Sequence, residues 1–370
     1  MSAIKDIIIF YPSFERGGVT VNLINFINFT VKNNLNIYLI SQTTDIKKFF
    51  NYSKKIKFVK VKKISIPFIP QRVLSSLLSI IHIIKTFKHC NKNRSILLSF
   101  QSSIIPIIVC KIFGRKVIIR NSEDAIDATK FADNKFFAYF VLFSKIIFYN
   151  FADGIITNSI KAKKSLESIV HNNKKIKLIY NPYLLRIFKR KNKKKRNLIL
   201  SVGRLCKQKN FETLIRGFCE FLKKFPNYNL LILGHGYNEH KLKKMAEDLK
   251  IAKHVQFKGW VSETKKYFDT SKIFVMTSLY EGLPNVLIDA VNYEIPTIST
   301  KCSGATDILT KKEGVYFKLQ DHNDLAKQMI KTASNYNNHL KKIKRTKMYL
   351  NRFLAEKQST KYLDYCNKIF

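Results

Sequence analysis

Two rhythms of apolar residues alternate along this chain. Short runs rich in β-branched and aromatic residues lie at Ile7–Tyr11, Asn36–Ile40, Ile56–Val61, Ile96–Ser99, Lys116–Arg120, Gly154–Thr157 and Ile176–Tyr180. They resume at Asn197–Val202, Asn229–Leu233, His254–Phe257, Ile273–Thr277, Thr297–Thr300 and Gly314–Phe317. Between them, helical spacing covers Val19–Val31 and Val73–Lys88, then Phe211–Lys224, Glu239–Lys250, Pro284–Asn292 and Asp321–Ser334. Strands alternating with helices predict βαβ units and parallel sheets. The Lys-rich stretch Leu340–Phe370 is also expected to be helical.

Asn181-Pro182 breaks the alternation, and a charge run from Lys189 to Arg196 follows it, the mark of a solvated linker. With 370 residues, the chain is long enough for two domains. The expected division is an N-terminal domain over 1–180, a linker over 181–196 and a second domain over 197–345. A C-terminal helix over 346–370 is expected to pack back on the first domain.

Charge adds a partner class. The formal net charge is +42, and no Asp or Glu occurs between Ile46 and Ser122. Such an excess implies an anionic partner, unless a coding bias toward Lys, Ile, Asn and Phe supplies it. A basic, apolar N-terminal half fits an anionic membrane surface. No nucleic-acid recognition motif accompanies the charge, so nucleic acid is not expected as a partner. No apolar run reaches the roughly 20 residues that span a bilayer. The stretch from Phe136 to Ala152 is broken by Lys145 and is open to either a surface or a core position. No signal peptide precedes the first strand. The six cysteines are scattered without a CxxC pair, which points to reduced thiols in the cytoplasm, and no metal signature occurs.

The unusual residues fall at strand ends, where open parallel sheets bind ligands. Gly282 permits a tight turn and Pro284 suits the first helical position, so Glu281-Gly282-Leu283-Pro284-Asn285 delivers a helix N-terminus fit for a diphosphate. Glu281 and Asp289 flank that cradle, placed to grip hydroxyls of a sugar and of a ribose. Arg204 and Lys209 follow Gly203 and can neutralise a leaving diphosphate. Gly17-Gly18 precede the first helix, and Gly259-Trp260 follow another strand. Glu123, Asp124 and Asp127 end a strand of the first half, where they either serve an acceptor hydroxyl or cap a helix. Neither a GxGxxG after the first strand nor a P-loop is present.

These motifs resemble the retaining, two-Rossmann-domain (GT-B) glycosyltransferases of family 4, related to bacterial lipopolysaccharide, capsule and phosphatidylinositol mannosyltransferases. The resemblance spans nearly the whole chain and is strongest from Ser201 to Leu309. Glu281 through Asp289 resembles the family's Glu-x7-Glu, with Asp in second place. Arg204 and Lys209 resemble its diphosphate pair, Phe257-Lys258-Gly259-Trp260-Val261 its base-contacting segment, and Gly17-Gly18 its N-terminal glycine loop.

The resemblance implies an α/β fold of two Rossmann-like domains facing a central cleft. It implies Glu281 on the donor sugar, Asp289 on the ribose, and backbone from Gly282 to Asn285, with Leu283 and Pro284 between, on phosphate. It further implies a metal-independent transfer with retention of configuration and no cofactor beyond the nucleotide-sugar donor, UDP-linked by family habit. The acceptor would be a saccharide, lipid-linked or of the lipopolysaccharide or capsule type. The enzyme would be peripheral on the inner face of the cell membrane. Many relatives carry a His in the N-terminal cleft. None lies between His89 and His171 here, so the acceptor role would pass to a residue such as Asp124. The alternative is a catalytically silent sugar-nucleotide-binding or scaffold subunit of the same fold.

Overall fold

The computed structural model describes residues 4–12, 17–42, 55–64, 66, 71–101, 103–188, 195–310 and 312–370. Most of the charge run after Lys189, and parts of the acid-free stretch after Ile46, lie outside the described residues. The chain divides into two compact units. One comprises Met1–Ile126, Phe136–Leu185 and Arg352–Phe370; the other comprises Asp127–Lys135 and Arg186–Asn351.

The first unit holds a seven-stranded parallel sheet built from β1 (Asp6–Phe10), β2 (Asn36–Ser41), β3 (Ile56–Lys60), β4 (Ser95–Ser99), β5 (Val117–Asn121), β6 (Gly154–Thr157) and β7 (Ile176–Leu178). Its order is β3-β2-β1-β4-β5-β6-β7, with Ile8 of β1 opposite Tyr38 on one side and Leu97 on the other. The central strands β1, β2 and β4 are mostly apolar because both faces are covered. Ile7 and Ile9 enter one core, and Ile8 and Phe10 the other, as a period of two dictates. The first core is covered by α1 (Gly18–Lys32) and by α14 (Ala355–Ile369), from the far end of the chain. The second is covered by α2 (Gln71–His89), α3 (Ile104–Ile112), α5 (Lys135–Phe148) and α6 (Ile160–Glu167). The short α4 (Ala125–Lys130) straddles the division between the units.

The second unit holds six parallel strands: β8 (Arg196–Val202), β9 (Asn229–Leu233), β10 (Val255–Phe257), β11 (Ser271–Met276), β12 (Thr297–Thr300) and β13 (Val315–Phe317). Their order is β10-β9-β8-β11-β12-β13. The helices are α7 (Phe211–Leu222), α8 (Glu239–Asp248), α9 (Lys265–Thr270), α10 (Asn285–Asn292), α11 (Ala305–Ile308), α12 (His322–Ser334) and α13 (Tyr336–Lys347). Leu214, Ile215, Phe218 and Phe221 of α7 pack with Leu325 and Met329 of α12 over Ile199, Ile232 and Val275 of the sheet.

Strand order reverses between β1 and β4 in one sheet and between β8 and β11 in the other. There the crossovers leave to opposite sides and open a crevice at the carboxyl ends of the strands.

Two expectations shift. Pro284 precedes α10 as its cap residue (φ −76°, ψ 100°), and the first helical residue is Asn285. The stretch from Phe136 lies on the surface. No helix among the described residues is long and apolar enough to cross a membrane.

Candidate functional site

The loops after β8 and β11 flank the reversal point of the second unit, and hydrogen bonds tie them together. Leu279 N–H donates to Gln208 O (2.8 Å), Gln208 Nε2 to Tyr280 O (3.0 Å) and Thr277 Oγ1 to Lys209 O (2.8 Å). This lacing brings Lys209 Nζ onto Glu281 Oε1. Both side chains are largely buried, so the pair is set into the crevice rather than free in solvent. Two residues chosen from the sequence on separate grounds are therefore direct partners.

Around this pair, strand ends meet backbone to backbone. Gly203 N–H donates to Leu233 O (2.9 Å), and Gly234 N–H to Gly259 O (2.8 Å). At Gly234, with φ +138°, a Cβ would stand 1.9 Å from Gly203 O. At Gly304, with φ +74°, it would stand 2.0 Å from Gly282 O. Only glycine fits such contacts. The loops after β8, β9 and β10 thus form one wall, and those after β11 and β12 another. Pro284 has no side-chain hydrogen bond to give the start of α10, which leaves that end suited to an anion.

The remaining candidates of this unit take different positions. Arg204 is exposed, with Nη2 3.3 Å from Gln208 Oε1, in the same loop as Lys209. Trp260 is 47% exposed beyond β10, next to Gly259. Asp289 is half-buried within α10. Burial, followed by the Asp269 and Asp289 carboxylates, pushes the nearby Tyr293 hydroxyl up to about 12. Gly282, Leu283 and Asn285 are buried in the turn itself.

Gly17, Gly18 and Asp124 belong to the first unit. Gly17 is extended (φ 171°), and a Cβ there would meet nothing within 4 Å among the described residues. An extended backbone does not demand glycine at that point. Asp124 is 1% exposed, and its Oδ1 accepts from Ile126 N–H (3.1 Å) at the start of α4. Lys161 Nζ lies 3.9 Å from Oδ2. Of the two roles left open by the sequence, this geometry is that of the cap. Glu123 pairs with Lys145 (3.3 Å).

Sequence reasoning missed Gln208, Thr277 and the Tyr280 ring, on which Phe131 stacks (centroids 6.5 Å apart, planes 8° apart). No signal marked them, because their partners lie on other segments of the chain. Among the described residues, no group of three or more His, Cys, Asp or Glu is placed to hold a metal ion.

Residues 185–348 match the family described as "Glycosyl transferases group 1". That segment, somewhat under half of the chain, is similar to the group 1 glycosyl transferases. Among curated relatives, an uncharacterized glycosyltransferase of Methanocaldococcus jannaschii is 31% identical over 68% of this chain and 65% of its own length. An N-acetylgalactosamine-N,N'-diacetylbacillosaminyl-diphospho-undecaprenol 4-alpha-N-acetylgalactosaminyltransferase of Campylobacter jejuni is 29% identical over 59% of this chain and 61% of its own. The matches thus span less than two thirds of these relatives. Anabaena HepE, crystallised with UDP and glucose, superposes with a TM-score of 0.79 at 14% identity, covering 98% of this chain and 100% of its own. Sucrose-phosphate synthase of Thermosynechococcus elongatus gives 0.84 at 15% identity, covering 99% of each chain. At such identities the likeness is one of fold, and it is the two-Rossmann GT-B fold.

Proposed function

We propose that this protein is a glycosyltransferase. It moves a hexosyl or N-acetylhexosaminyl unit from a nucleoside-diphosphate sugar, by preference a UDP-sugar, to a saccharide acceptor. That acceptor is lipid-linked or a lipopolysaccharide or capsule precursor, and the anomeric configuration is retained. The carrying observation is the Lys209–Glu281 pair at the reversal point of the group 1 domain, beside the uncapped start of α10. The activity for which the Campylobacter relative is named, on a diphospho-undecaprenol-linked saccharide, supports the acceptor class.

In this reading, donor binding transfers Lys209 from Glu281 to the diphosphate, where Arg204 joins it. Glu281, released, grips hydroxyls of the sugar. Backbone from Gly282 to Asn285 holds phosphate, Asp289 the ribose, and Gly259 and Trp260 the base. The bond from the anomeric carbon to the phosphate oxygen breaks as the bond to the acceptor oxygen forms. The acceptor proton passes to the leaving phosphate, and no metal takes part. The reading keeps Gly17-Gly18 among the donor-binding residues and Asp124 on the acceptor side. The enzyme works at the cytoplasmic face of the membrane, held by anionic lipid.

A thermal-shift panel of UDP-, GDP- and ADP-sugars tests the donor assignment. A ligand at a hundred times its Kd stabilises by about 2.7 kcal/mol. Stabilisation by a UDP-sugar alone is expected. No shift with any of them sinks the donor site.

A further inference from the structure

Helix α5 carries apolar residues on its outer as well as its inner side. Its two polar side chains within the first unit, Ser144 and Lys145, are turned inward: Ser144 Oγ donates to Phe140 O, and the Lys145 ammonium is buried against the Glu123 carboxylate. Phe148 packs against the core with Leu142, but most of the helix's other aromatics are turned outward. Phe136 is 86% exposed, Phe140 61%, Phe143 60% and Ile147 40%. Their spacing of four, three and four residues puts them on one side of a helix. Tyr139 and Phe151 widen the ridge. Fourteen helical residues at 1.5 Å rise extend about 21 Å. Contiguous apolar surface of this extent marks an interaction site.

The rest of that side of the first unit points to the occupant. Helices α2 and α3 bury inner residues in the core against which Leu142 and Phe148 of α5 also pack, so their outer faces look the same way. On α2 that outer face shows Leu77 and Ile81 beside exposed Lys85 and Lys88. Near the end of α3, Lys111 and Lys116 share a single acid, Asp153. The ridge is therefore framed by net positive charge. A second copy docking by this face would bring like charges together, which opposes association. An anionic bilayer offers the opposite charge to the lysines and an apolar boundary layer to the aromatics.

We infer that the α5 ridge is the element that inserts into the headgroup boundary of an anionic membrane. This rests on the membrane part of the proposed function and names the surface that carries it; the donor chemistry is not involved.

The test is flotation of the full chain with phosphatidylglycerol-containing and pure phosphatidylcholine vesicles, beside the triple variant F136S/F140S/F143S. Stabilisation by the nucleoside diphosphate reports that the variant is folded. The wild type is expected to float with anionic vesicles, and the variant to lose about tenfold or more of that partitioning. Equal partitioning of the variant overturns the role of α5 and leaves the electrostatic membrane reading standing. No partitioning of the wild type overturns both. A wild-type dimer in sedimentation that the variant dissolves, without vesicle binding, overturns the inference in favour of a second copy.

Discussion

Glu281 and Lys209 hold each other before any ligand arrives, so their substitutions should have opposite signatures. Glu281→Gln frees Lys209 for the diphosphate. Transfer should fall to a small fraction of wild type, while calorimetry shows UDP bound as tightly as before or tighter. Near wild-type turnover would remove Glu281 from the donor sugar. Arg204→Ala and Lys209→Ala should each weaken UDP binding by about 1.5–3 kcal/mol, the range of hydrogen bonds to charged groups. Unchanged affinity in both would place the diphosphate elsewhere. Asp124→Asn separates the two roles of that residue, because Asn caps a helix nearly as well as Asp. Loss of transfer at unchanged Tm would assign its charge to the acceptor. Retained transfer would leave it only the cap.

At the level of loops and strands, the contrasting glycines carry the next prediction. Gly234→Ala and Gly304→Ala each drive a Cβ to within about 2 Å of a carbonyl oxygen, from a backbone conformation unfavourable to side chains. Each should cost about 1–3 kcal/mol of stability and weaken UDP binding, as neighbouring loops within one wall of the crevice are forced apart. Gly17→Ala adds a methyl on extended backbone with no described residue within 4 Å, so stability should change by no more than about 0.5 kcal/mol. Any loss of transfer in that variant reports a ligand that needed the space. Thermal melts read beside calorimetry distinguish these cases, and a Gly17→Ala melt several degrees lower would contradict this geometry.

The first unit takes its last helix from the end of the chain. Tyr362 of α14 is fully buried against Phe26 (5.3 Å between centroids), and its hydroxyl accepts from Arg120 Nε (3.0 Å). Tyr362→Ala is expected to destabilise the protein by about 3–5 kcal/mol, as large aromatic truncations in cores do. A fragment ending near Tyr180 lacks this helix and should not fold, which is why membrane binding is measured on the full chain. A cooperative melt from residues 1–180 alone would refute this. The net charge of +42 belongs to the same scale: binding to anionic vesicles should weaken as salt shortens the Debye length to about 3 Å at 1 M. Binding unaffected by salt would assign the attraction to the aromatic ridge alone.

The sequence by itself determined the strand and helix alternation, because apolar periodicity and glycine or proline punctuation are local properties. It also placed Glu281, Arg204 and Lys209 at strand ends, since in a parallel sheet the crossover loops are where function collects. What it left open depended on distant segments. The Lys209–Glu281 contact requires β8 and β11 to be neighbours, an order fixed by packing of the whole sheet. Gln208 and Thr277 act on backbone carbonyls of another loop, and a carbonyl carries no sequence signal. Periodicity placed an apolar face on the Phe136 segment but not the direction of that face. The Lys145–Glu123 pair, with the ammonium buried and the carboxylate half-exposed, turns the lysine inward, leaving most of the aromatics outside. That choice belongs to tertiary structure, because an ion pair can compensate a buried ammonium only once its partner has been brought to it by the fold.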